Sequence, residues 1–146
     1  MKNRSVPSDT VLPHIVYGSV KEAAEWLSRV FGFRECFRYG DPVDGIQMSF
    51  GCTYFMLAKP WRGRDSPARA GFCTQMLTVF VEDVDAHFAR ARSAGAKIVE
   101  EVNETFYGER QYGVEDLEGH RWIFAQHVRD VRPEEWGATV PDGSRE

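Results

Sequence analysis

An internal repeat constrains this chain more than any other feature. An apolar stretch at Val11–Tyr17 runs into GSVKEAAEWLSRVFGF, and a second, Met76–Val81, runs into EDVDAHFARARSAGAK. In the first copy Ser19 stands where an N-cap belongs, and Glu22, three residues on, completes a capping box. Val20, Ala23, Ala24, Leu27, Val30 and Phe31 recur at helical spacing, and Gly32 supplies the stop. In the second copy Asp83 is the N-cap, Val84, Phe88 and Ala91 form the apolar stripe, and Gly95 ends it. Val20 and Val84 lie 64 residues apart. Sequence of strand character follows each helix: RECFRYG, GIQMSFG and TYFMLA, then AKIVEEV, ERQYGVED and HRWIFAQ. The closing strands correspond at an offset of 67, Tyr54–Ala58 over Arg121–Ala125. Each copy therefore reads β-α-β-β-β. One helix on one sheet buries its apolar face poorly alone, so the two copies are expected to pack together in an α+β fold.

The chain divides accordingly into an N-terminal arm (1–10), a first module (11–58), a linker (59–74), a second module (75–127) and a C-terminal turn and tail (128–146). The linker carries Lys59, Arg62, Arg64 and Arg69 among Pro and Gly and reads as a solvated loop. Pro133–Trp136 has the form of one helical turn with Pro at its first position, followed by a polar tail. A length of 146 residues suits one domain. The net charge of −4, with acids and bases interspersed, gives no footprint for nucleic acid. No apolar run approaches the roughly 20 residues that span a bilayer, and the first residues lack an apolar signal core. Cys36, Cys52 and Cys73 are odd in number and show no CxxC spacing, so they read as reduced thiols in a cytoplasmic protein. No GxSxG, Walker A or dinucleotide fingerprint occurs.

The two strand–helix units VYGSVKEAAEWL and VFVEDVDAHFARARSAGAK, with the closing VEDLEGHRWIF, resemble the vicinal-oxygen-chelate superfamily. That superfamily includes glyoxalase I, extradiol dioxygenases, fosfomycin-resistance transferases and bleomycin-binding proteins. The resemblance covers residues 11–127 and implies two βαβββ modules whose curved sheets enclose a cleft. It also implies a homodimer, since family members commonly pair modules between chains. Family metalloenzymes place one His, Gln or Glu ligand on the first and last strand of each module. Carried onto this chain, those positions are Leu12, Met56, Met76 and Ile123. Leu and Ile hold no ion, and two thioethers alone suit only a soft one. No metal and no cofactor is expected.

The run GHRWIFAQH, Gly119–His127, invites a metal reading of its own. On an extended strand, however, His120 and His127 are seven steps apart and face opposite ways. Both are expected to be turn or surface residues. Trp122 and Phe124 are expected against a helix, with Arg121, Ile123 and Ala125 facing the cleft.

For the rest of the cleft, His14 stands in an apolar setting two residues from Leu12, as a buried core histidine or as a general base. In ERQYGVED one alternating set should line the cleft, and Arg110 with Tyr112 suits an anionic or aromatic ligand. Gln47 is a further candidate. The ligand-binding set is thus Leu12, His14, Gln47, Met56, Met76, Arg110, Tyr112, Arg121 and Ile123. The function expected is binding of a small, partly apolar molecule, for drug or metabolite sequestration, without a metal. The alternatives are a metal-independent enzyme with His14 or Glu109 as base and Arg110 stabilising negative charge, or a metal-dependent lyase or dioxygenase. No nucleic-acid or membrane partner is expected.

Overall fold

The structure, a computed structural model, describes residues 1–4 and 11–143. Most of the N-terminal arm expected over residues 1–10, and the last three residues of the tail, lie outside the described residues. The first module comprises β1 (His14–Val16), α1 (Val20–Phe31), β2 (Arg34–Tyr39), β3 (Gly45–Phe50) and β4 (Thr53–Ala58). The second comprises β5 (Met76–Phe80), α3 (Val84–Ser93), β6 (Lys97–Glu104), β7 (Glu109–Glu115) and β8 (Arg121–His127). Between them a short helix α2 (Pro67–Ala70) interrupts the segment expected to be loop, and a 3-10 turn spans Pro133–Trp136 after β8.

Each module forms a four-stranded sheet, in the orders β1-β4-β3-β2 and β5-β8-β7-β6. β1 and β5 run parallel to their neighbours, and the remaining pairs are antiparallel. The helix starts follow the caps read from sequence: the Glu22 amide donates to Ser19 Oγ, and the Ala86 amide donates to Asp83 Oδ1. Gly32 ends α1 at φ 80°, where a Cβ would also run into the Arg90 guanidinium.

Strand alternation turns one face of each sheet toward the helices, and both modules fill one core from that face. Ile15, Ile46, Met48, Phe55 and Leu57 from the first sheet join Tyr112, Val114, Trp122 and Phe124 from the second, with Leu27, Val30, Phe31, Val84 and Ala91 from the helices. The rings of Phe31, Phe33 and Phe55 meet those of Trp122 and Phe124 at centroid distances of 4.8 to 6.1 Å across the module boundary. Such tilted and edge-on contacts add to the area buried. One core is thus shared by both modules.

Polar joints fix how the modules dock. His87, on α3, contacts the Phe31 carbonyl through Nε2 at 2.9 Å and the Tyr112 hydroxyl through Nδ1 at 2.6 Å. A carbonyl only accepts, so Nε2 carries the proton and Nδ1 accepts from the phenol. Burial holds the imidazole below its ordinary range and pushes the Tyr112 phenol up, which keeps both groups neutral in this arrangement.

Candidate functional site

Residues opposite each other in a sheet share a face. In the second module Tyr112 lies opposite Phe124 and Val114 opposite Trp122, and all four are buried on the helix side. This corrects the expected placement of Arg110 and Tyr112 in the cleft. Tyr112 is fully buried against α3, and Arg110 reaches Asp85 of that helix with bonds of 2.8 and 3.0 Å. The alternate set, Glu109, Gln111, Gly113 and Glu115, shares the opposite, cleft-type face with Arg121, Ile123, Ala125 and His127.

Rows of side chains cross this face. In the first module one row runs His14, Met56, Gln47, Phe37. Its repeat equivalent runs Thr78, Ile123, Gly113. The next row is Met76, Arg121, Glu115, Lys97, and it is charged: Glu115 accepts from Arg121 and Lys97, both at 3.0 Å. The Lys97 ammonium, more than Arg121, holds the Glu115 carboxyl below its usual range. Leu12 precedes β1 rather than lying within it.

The two faces differ in cover. Gln47 and Met56 are buried, whereas Met76 is 61% and Phe80 57% exposed. Tyr39 helps close the first face by laying its phenol across Gly45, where a Cβ would collide with it. His14 is solvent-exposed, which removes the buried-histidine expectation; it stands on an edge strand beside the linker. There it borders a pocket of about 290 Å³ with Arg64, Cys73, Gln75 and His120.

The Gly119–His127 run has a structural task at its start. Asp116 accepts from the Tyr17 hydroxyl at 2.5 Å, from Trp122 Nε1 at 3.0 Å, and from the Glu118 and His120 amides at 3.0 Å. His120 Nε2 donates to the Val16 carbonyl at 2.6 Å, and Glu118 accepts from the Gly18 amide at 2.7 Å. Burial, and then the Asp116 charge, push the Tyr17 phenol well up, so it remains a donor. The acidic turn is therefore the seam between modules. At the other end His127 pairs with Glu109. Sequence reasoning missed three features: this seam, the His87 joint and the Glu109–His127 pair. Only the last had a signal, since both residues lie at the same end of adjacent strands.

Leu12, Met56, Met76 and Ile123 supply two thioethers and no nitrogen or oxygen. The observed rows replace Leu12 and Met76 by His14 and Thr78, which adds one imidazole and one hydroxyl. Among the described residues no group of three or more His, Cys, Asp or Glu is placed to hold an ion. Among them, too, no helix is long and apolar enough to cross a membrane.

Comparison with known proteins agrees with the fold. TioX from Micromonospora sp. ML1 is 32% identical and superposes with a TM-score of 0.70, over 83% of this chain and 100% of TioX. The fosfomycin resistance protein FosX of Listeria monocytogenes shares the fold at 11% identity, with a TM-score of 0.64 over 82% of this chain and 93% of FosX. Two uncharacterized proteins, Mb0911c of Mycobacterium bovis and Rv0887c of Mycobacterium tuberculosis, are 37% identical over 75 residues, 51% of this chain and 49% and 44% of theirs. The chain spans about half the length of these curated relatives. Residues 9–124 match the profile of the Glyoxalase/Bleomycin resistance protein/Dioxygenase superfamily, and with its paired βαβββ modules the chain belongs to that family.

Proposed function

We propose that this protein binds a small, partly apolar molecule on the cleft-type faces of its sheets, without a divalent metal, and sequesters it as a drug or metabolite. The observation that carries this reading is the row chemistry of the second module: Met76, Thr78, Ile123 and Phe80 offer apolar area with few polar groups, the usual makeup of a ligand site. His14, at the open edge of the Met56 row, supplies a hydrogen-bonding group that would orient the ligand. The net charge of −4 favours a cationic ligand at long range.

A second copy completes the site in this reading. The sheets of one chain share a core through their helix faces, which leaves Met76 and Phe80 open to solvent. A homodimer that lays the first module of one chain against the second module of its partner would cover them. Phe80→Asp places a charge on that face without touching the core. Sedimentation should show a dimer for the parent protein and a monomer for Phe80→Asp, with equal helix content. A parent protein that is monomeric at about 100 μM, well above the affinity of most specific dimers, removes the second copy from the account.

His14 supports a second reading, a metal-independent enzyme. Its imidazole is exposed and lines one pocket with Arg64, so that the pocket could take a proton from a bound substrate while a cation stabilises the anion formed.

A further inference from the structure

We propose that the groove between the β6–β7 turn and the C-terminal 3-10 turn binds a flat aromatic molecule that carries a hydrogen-bond donor on its ring. The site needs no second copy and lies beyond the rows assigned above, at the far end of β7 and β8.

Its polar element is the cross-strand pair of Glu109 and His127, opposite each other in register. His127 Nδ1 lies 3.1 and 3.3 Å from the two Glu109 carboxylate oxygens. A carboxylate only accepts, so the hydrogen sits on Nδ1, and in the neutral ring Nε2 is left as an acceptor. With the ring neutral, the pair fixes one tautomer and offers one lone pair to a ligand donor. Its apolar element is a wall of three rings. Phe106, Tyr107 and Trp136 meet at centroid distances of 5.2, 6.2 and 6.2 Å and line, with Glu109 and His127, a groove of about 460 Å³. Phe106 is 67% and Trp136 41% exposed, so ring surface lies open where a ligand can cover it.

The wall is held in place. The Val128 and Arg129 amides both donate to the Gly108 carbonyl, at 2.9 and 3.2 Å, and bring the C-terminal segment back over the β6–β7 turn. Gly108, at φ +95°, leaves no room for a Cβ against the Arg129 carbonyl. The Tyr107 hydroxyl donates to Gln111 at 3.1 Å, which fixes the second ring. An apolar wall beside one oriented acceptor selects a planar ring with an O–H or N–H.

Calorimetric titration with two probe pairs tests this: indole against 1-methylindole, and 4-methylphenol against 4-methylanisole. Within each pair methylation removes the donor and adds one methyl group, whose extra apolar area favours the methylated probe, so tighter binding of the donor-bearing probe reports the hydrogen bond. The donor-bearing probe of at least one pair should bind about tenfold tighter, the value of one well-made hydrogen bond in a partly dry site. His127→Leu should erase that preference, and Trp136→Ala should weaken all four probes while the melting temperature holds, since Trp136 lies outside the core. Phe80→Asp should leave the preference intact, which separates this site from the paired faces. Equal affinity of both members in both pairs overturns the proposal, as does unchanged binding in Trp136→Ala. So does a groove that binds no probe while Trp136→Ala alters the association state, because a second copy then fills it.

Discussion

Replacing Asp116 by alanine should cost this protein about 3–5 kcal/mol, because two buried donors then lose their acceptor. Tyr17 is fully buried and Trp122 nearly so, and both spend their polar hydrogen on one Asp116 oxygen, at 2.5 and 3.0 Å. Each stranded donor costs about 1–3 kcal/mol, and the Glu118 and His120 amides lose a turn-closing acceptor as well. For a chain of this size the loss lowers the melting temperature by about 10 °C. Tyr17→Phe removes one donor and should cost about 1 kcal/mol. In the double variant the two losses should fall short of their sum, because Tyr17 and Asp116 share one bond. Urea melts of the three variants measure all of this. A loss below about 1 kcal/mol for Asp116→Ala would show that water replaces the carboxylate and that the seam does not join the modules.

The second large effect belongs to Phe31. Its ring is fully buried and meets Phe33 from its own module at 5.6 Å, and Trp122 and Phe124 from the other at 5.8 and 4.8 Å. Truncation to alanine empties the centre of the shared core and should cost about 3–5 kcal/mol. Because its partners belong to both modules, urea melts followed by tryptophan fluorescence and by helix dichroism should shift together. Separate transitions would mean that each module holds a core of its own.

The repeat, the helix starts and the sheet contents were legible because helix and strand periods differ, 3.6 against 2, and because Ser19, Asp83 and Gly32 mark their ends. Strand limits were less so. Val11–Tyr17 reads as one apolar strand, yet β1 spans His14–Val16; Pro13 lacks an amide hydrogen and contributes only its carbonyl, to Met56. The facing of β7 was misread for a specific reason. Both of its alternating sets carry polar residues, so composition does not choose between them. Register does: Tyr112 opposes Phe124, and a Phe124 placed against a helix carries Tyr112 with it. Arg110 then lies along the helix side and reaches Asp85 at its rim, as a long amphipathic side chain can. His14 has apolar neighbours in sequence, but an edge strand leaves it open. The His87 joint had no local signal, since its partners, Phe31 and Tyr112, lie 56 and 25 residues away.

We propose that the faces carrying Met76, Thr78 and Ile123 take an organic molecule and no divalent ion. A native mass spectrum of the protein purified from cells, read with elemental analysis of the same sample, tests it most directly. The expected result is a dimer whose mass equals two chains, or two chains plus an organic ligand, with divalent metal far below one ion per chain. One zinc, nickel, manganese or iron ion per chain, lost together with its mass increment on chelation, would contradict it and return these faces to the metal-dependent branch of the family.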